Sequence, residues 1–208
     1  MHFKQETHHI GPVSIHLLFY DSFEPSDYLD HLTEQETERY FSFTHIKRKM
    51  EFVATRILRH RLFGFTHIHY NEVGAPYIED EGFISISHAK GVVGIAFCKG
   101  FTIGLDLEKI DSRMVKLSPK FLSTLESETL DTTSPAEMTK VWSGKEALYK
   151  IAGRKGIIFS TELHLSPLSE NLWSGRIYHG KIVVHTEISI FTIKDLVVSV
   201  NTNALRSQ

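Results

Sequence analysis

The chain carries a single cysteine, Cys98, in 208 residues. That excludes an internal disulfide and a cysteine-based zinc site within the chain. Nowhere do about eighteen apolar residues run together, so no transmembrane helix is expected. The opening MHFKQETHHIGPVSIHLLFY has only a short apolar run and lacks the layout of a secretory signal, which makes the cytoplasm the expected location. Positive charge is not in excess: 23 Lys and Arg stand against 25 Asp and Glu, which argues against a general nucleic-acid binder. No membrane partner is expected either. No low-complexity linker divides the chain, whose 41% hydrophobic content suits a soluble globular protein with one large or two small cores.

Periodicity then orders the elements. A strand is expected at 14–19, helices at 33–43 and 45–63, and strands at 66–70, 83–87 and 91–97. A second run opens with a strand at 102–108 and continues with a helix at 118–130, started by Ser118 and Pro119. A helix across 134–153 follows, then strands at 163–165, 172–179, 181–190 and 195–201. Each run places helices first and a closing hairpin last. The hairpins ISISHAKGVVGIAF and ISIFTIKDLVVSVN hint at an internal duplication, although two amphipathic hairpins can look alike by chance.

Two segments roughly forty residues apart carry the chemistry: GLDLEKID from Gly104 and VWSGKEALYK from Val141. In the first, Leu105, Leu107 and Ile110 frame Asp106 and Glu108, and the period of two sends both acids to one strand face. Adjacent carboxylates repel unless a cation joins them, and a hard ion such as magnesium takes such ligands. The plain alternative is an exposed strand face. The second segment lies in a punctuated helix, with Ser134 as N-cap, Pro135 in the first turn, Glu137 completing a capping box and Gly153 as the stop. Met138, Val141, Leu148, Ile151 and Ala152 form its apolar face, while Glu146 and Lys150 meet on the flank at i, i+4, where they could equally be a surface ion pair.

Together these segments resemble the 4'-phosphopantetheinyl transferases of the surfactin-synthetase-activating type. That family pairs a G-[IV]-D-[IV]-E strand with W-[ST]-x-K-E-[AS]-x-x-K; here the segments read GLDLE and WSGKEALYK, with Leu for the usual Ile or Val. ISISHAKG matches a third family element, with Ser87 and His88 in place, and GAPY, Gly74 to Tyr77, matches a fourth. The resemblance implies an α+β fold of two pseudo-symmetric halves, 1–99 and 100–208, each a small mostly antiparallel sheet packed with helices, with the active site in the cleft between. It implies transfer of the phosphopantetheine arm of coenzyme A to a serine of an acyl, peptidyl or aryl carrier protein by a monomer. Magnesium, or manganese in its place, would be held by Asp106, Glu108 and Glu146. Glu146 would also help deprotonate the serine, and Lys150 would contact phosphate. Lys145, which matches the other motif lysine, and Ser87 and His88 are implied as coenzyme contacts.

One departure stands out: Ala75 replaces the lysine usual in the family's G-K-P segment. Cations of the helix at 45–63, among them Lys47, Arg48, Lys49, Arg56, Arg59 and Arg61, could make up the lost charge, or could simply solvate that helix. The apolar stripe of this helix is Met50, Val53, Ile57, Leu58 and Leu62, and Gly64 ends it. Of thirteen histidines, the pairs His8 with His9 and His67 with His69 lack a third ligand at zinc-like spacing. A non-catalytic relative that binds coenzyme A or a carrier protein is one alternative. A magnesium-dependent phosphohydrolase using the same carboxylates is another.

Overall fold

Alternation in VSIHLLFY and in GIAFC sends one set of apolar residues to each face of a strand, and the fold uses both faces. The computed structural model describes residues 3–79 and 81–207. The first run comprises β1 (Phe3–Ile10), β2 (Val13–Tyr20), α1 (Glu34–Ser42), α2 (Ile46–Phe63), β3 (His69–Tyr70), β4 (Pro76–Ile78), β5 (Gly82–Ala89) and β6 (Val92–Cys98). The second comprises β7 (Leu105–Lys109), α3 (Arg113–Leu117), α4 (Thr124–Thr129), α5 (Pro135–Ala152), α6 (Phe159–Glu162), β8 (Leu163–Pro167), β9 (Leu172–His179), β10 (Ile182–Ile193), β11 (Leu196–Asn201) and β12 (Arg206–Ser207). One antiparallel sheet has the order β1-β2-β6-β5-β4-β3; the other runs β7-β11-β10-β9-β8, with β12 beside β10. With β1 set aside the two orders are the same, so the molecule is α+β with two pseudo-symmetric halves, and the two closing hairpins occupy equivalent places.

Three apolar clusters hold the layers. Val53, Ile57 and Leu58 of α2 pack on Leu18, Ile84, Val93 and Ile95. Met138, Val141, Leu148 and Ile151 of α5 pack on the second sheet through Ile188, Ile190 and Val197. The third cluster lies between the sheets, with Ile15, Leu17, Val92 and Ala96 against Leu105, Leu107, Val198 and Val200. Each fully buried Leu, Ile or Val contributes about 1.5–3 kcal/mol by leaving water. Because Leu105 and Leu107 face this central core, Asp106 and Glu108 must face the other way.

β7 is the edge strand of its sheet, and its free amides are not left unpaired. Ser85 Oγ on β5 accepts from the Leu105 N–H at 2.9 Å, and Ser87 Oγ accepts from the Leu107 N–H at 3.1 Å. Two serines of one half thus complete the edge of the other. Just before β7, Gly104 donates its N–H to Asn201 Oδ1 at 2.8 Å. A Cβ at Gly104 would collide with the Ala147 carbonyl of α5, so glycine is what lets helix and strand approach. At the opposite side of the molecule β1 covers the outer edge of β2, and its His8 ring lies 5.6 Å from the Phe191 ring of β10.

Several expected elements differ. In place of the helix expected at 118–130 stand a 3-10 turn at Ser118–Lys120 and the short α4, and α3 before them was not anticipated. Pro119 belongs to the short turn, and a second capping box starts α4: Ser123 Oγ accepts from the Glu126 N–H while Glu126 accepts from the Ser123 N–H. The box expected at Ser134 is half formed, because Glu137 accepts from the Asp131 N–H instead of turning back to Ser134. The strand expected at 66–70 shrinks to β3, while β1, β4, α6, β12 and a 3-10 segment at Pro25–His31 were not anticipated. Among the described residues no helix is long and apolar enough to cross a membrane.

The Gly104 contact sets an expected outcome. Gly104→Ala should destabilise the chain by about 2 kcal/mol or more in urea unfolding, because the obstructing atom is backbone. A midpoint indistinguishable from that of the parent chain would refute the close approach.

Candidate functional site

β7 and α5 build the acidic centre. The strand presents Asp106 and Glu108 on one face, and the helix presents Trp142, Glu146 and Lys150 at four-residue intervals along one flank. Lys150 Nζ donates to the Leu105 carbonyl at 2.6 Å, to Asp106 Oδ1 at 3.0 Å and to Ser87 Oγ at 3.2 Å. Ser87 in turn donates to Asp106 Oδ1 at 3.2 Å, while Asp106 Oδ2 is buried with no hydrogen-bond partner. Trp142 Nε1 donates to Glu108 Oε1 at 3.0 Å.

The electrostatics follow from crowding. Burial, and then repulsion from Asp106 and Glu108, pushes the Glu146 carboxyl up to about 7, against the pull of Lys150. Burial and the Asp106 charge likewise raise Glu108, opposed by the Trp142 hydrogen bond. Three carboxylates therefore share one ammonium. Among the described residues no three His, Cys, Asp or Glu side chains are grouped as a ready-made metal site. The donor set nonetheless fits a hard divalent cation in kind: all oxygen, short of positive charge, and with one buried oxygen unpartnered.

Across the cleft, β5 and the start of α2 bring cations to His88. Arg48 Nη1 lies 3.3 Å from His88 Nε2, and Glu51 lies within 4 Å of Lys47, Arg48 and His88. Partial burial, then the Arg48 and Lys150 charges, lower the pKa of His88, with Glu51 opposing. The first turn of α2 has no acidic residue, and its N-cap His45 makes no capping bond. Cations there work against the helix dipole, an opposition that their pairing with Glu51 one turn on partly offsets.

Other expected contacts are placed elsewhere. Lys145 is completely buried, and its ammonium donates to the Phe121 carbonyl at 2.5 Å, Glu126 at 2.7 Å and the Phe159 carbonyl at 3.0 Å. All three protons are used inside the second half, which corrects the expectation of a coenzyme contact. Arg56 is buried too, bonded to Glu36 at 3.0 Å and lying 4.0 Å over the Phe52 ring. Arg59 bonds the other Glu36 oxygen at 2.7 Å, and Lys49 sits 4.7 Å over Tyr40. The basic helix therefore splits into the exposed Lys47 and Arg48 at its start, the exposed Arg61 at its end, and a structural set between them. Ser87 is buried, and its hydroxyl already accepts from Leu107 and Lys150 and donates to Asp106, so it holds the site together. Trp142, Glu51 and Ser85 were not anticipated; Trp142 precedes Glu146 by one helical turn, and Ser85 shares a strand face with Ser87, so both spacings were there to be read.

Two hollows border the partners of the acids, one lined by Lys150 and the other by Trp142. A cavity of about 400 Å3 opens between the halves, bounded by the loop around Ala75, by β5, and by Lys150 and the residues after α5. Asn71 Oδ1 shapes that loop by accepting from the Val73 and Ala75 amides at 3.1 and 2.9 Å. A second, more apolar hollow of about 400 Å3 lies along Met114, Leu117, Phe121, Trp142 and Phe159.

Comparison with curated proteins finds no match. The family model of the 4'-phosphopantetheinyl transferase superfamily matches residues 102–200. That span contains Asp106, Glu108, Trp142, Glu146 and Lys150, the whole of the acidic centre. The seam that completes β7 and the cleft beside it surround this centre, and the second half of the chain, over residues 102–200, is similar to the 4'-phosphopantetheinyl transferase superfamily.

Proposed function

We propose that this chain is a holo-carrier-protein synthase: it transfers the 4'-phosphopantetheine arm of coenzyme A to a serine hydroxyl of an acyl, peptidyl or aryl carrier protein and releases adenosine 3',5'-bisphosphate. The observation that carries this reading is the meeting of Asp106, Glu108 and Glu146 with Lys150, which itself lines the cavity between the two halves. The division of labour runs between residues 1–99 and 100–208, with cations and His88 from the first and the acids from the second.

Asp106, Glu108 and Glu146 would hold magnesium or manganese, which when bound supplies charge neutralisation on the diphosphate. Lys150 holds Asp106 in place and lies at the mouth of the phosphate path. His88 and Arg48, at the opposite rim, orient the nucleotide through its anionic groups. Glu146, the helix-borne carboxylate of the group, takes the proton of the attacking serine. The phosphorus–oxygen bond to the bisphosphate breaks as the bond to serine forms, and the proton stays on the Glu146 carboxylate. A monomer in the cytoplasm suffices for this chemistry.

Intact-mass measurement of apo carrier proteins incubated with the chain and coenzyme A tests the proposal. One added phosphopantetheine, formed with magnesium and absent in chelator, is expected. Coenzyme binding without any gain on any carrier would favour the non-catalytic relative. Asp106→Ala and Glu146→Ala should each lower transfer by roughly 10²–10⁴-fold while melting cooperatively. Retention of a tenth of the activity by both would sink the acid assignment.

Stability gives a separate test. A carboxyl whose folded pKa is raised favours folding below its unfolded pKa, and that contribution is lost as pH rises toward the folded value, here from about 4.5 to about 7. In chelator, Glu146→Gln should therefore melt higher than the parent chain at pH 8, by roughly 4 °C or more, with the gap closing toward pH 4.5. A gap independent of pH would contradict the shift.

A further inference from the structure

Among the described residues, the buried side-chain oxygens with no hydrogen-bond partner are Asp106 Oδ2, Ser143 Oγ and Ser199 Oγ. Folded proteins rarely leave such groups unbonded, because each has given up its hydration. All three belong to one junction, where α5 covers β7 and β11. Ser199 on β11 is the register partner of Asp106 on β7, so the two side chains stand side by side on one sheet face. That face meets α5: Val198 and Val200 point into the central core, while Val197 packs with α5 and Asn201 reaches Gly104. On the helix, Thr139, Ser143 and Ala147 follow one another at four-residue spacing along β7. Thr139 Oγ1 accepts from the Asp111 N–H at 3.3 Å, and the Ala147 carbonyl crowds Gly104. Ser143, completely buried, therefore lies over the middle of the strand, level with the acids.

We infer that these three oxygens form a buried site for one water molecule, with Ser199 and Ser143 as positioning residues for Asp106. A buried water makes about three hydrogen bonds, typically to groups that have no other partner. Here it donates to Asp106 Oδ2 and bonds both hydroxyls, each of which can donate or accept. Lys150 and Ser87 already hold Oδ1, so the water completes the support of the carboxylate at its second oxygen. A carboxylate oxygen accepts in two directions, and a water on the inner side leaves the outer one for a cation. What this support does for the cation rests on the proposed function; the water site itself does not.

Manganese binding to the full chain at fixed coenzyme A, followed by electron paramagnetic resonance, tests the positioning role. Threonine and valine have the same shape, so Ser199→Thr and Ser199→Val load the junction equally and differ in the hydroxyl. Ser199→Thr should bind manganese about tenfold more tightly than Ser199→Val, and Ser143→Ala should weaken binding by about the same factor. Equal affinity of the Thr and Val variants would overturn the positioning role. Melting in chelator reads the water site without any metal. Ser199→Ala should melt below the parent chain, since it strips a bonded hydroxyl; a hydroxyl with no partner is better removed, so a variant that melts higher would overturn the site. A parent chain that binds no manganese would remove the metal from the proposed function and the positioning role with it, while the melting comparison would still decide the water site.

Discussion

The edge of β7 is the constraint on which the rest depends. An edge strand buried against another sheet must find partners for its outward amides, and a strand from the other half would have flattened the junction into one continuous sheet. Ser85 and Ser87 solve this with side chains: each hydroxyl meets one amide of β7. The halves are thereby joined without merging, and the angle between them leaves a cleft. Because Ser87 also donates to Asp106 and accepts from Lys150, the bond that closes the seam also orients the first acid.

Repulsion among the acids is held in check by structure on every side. Leu105 and Leu107 lock the strand register through the central core, so Asp106 and Glu108 cannot turn away from each other. Gly104 lets α5 lie close enough for Glu146 to join them. Trp142 ties Glu108 to the aromatic group of Phe121 and Phe159, which also borders the apolar hollow. The protein thus spends packing free energy on keeping like charges together, a pattern typical of sites that need a cation or a displaced proton.

Legibility in the sequence followed the range of the interactions. Local signals read well: Ser134 with Pro135 and the stop at Gly153 bounded α5, Gly64 ended α2, and alternation in GLDLE put both acids on one face. Partners distant in sequence read poorly. Lys145 and Arg56 look like solvent-facing cations until Glu126 and Glu36 are brought to them, and a buried carboxylate partner leaves no local trace. The start of α4 was placed too early, at Ser118, because Pro119 and the capping box at Ser123 offer competing starts. β1 was missed because its alternation mixes charged and aromatic residues, and only pairing with β2 makes it a strand.

That unanticipated strand also determines how many sites the molecule has. Exchanging the halves carries β7 onto β2 and β5 onto β10, so the seam at β7 has a counterpart between β2 and β10. β1 lies there, hydrogen-bonded to β2 along its length and with His8 against Phe191. The equivalent of Asp106 across the halves is His16, and no acidic pair occupies β2. A scaffold that could have carried two clefts is wedged shut on one side, and its near-twofold plan is left with a single acidic cleft.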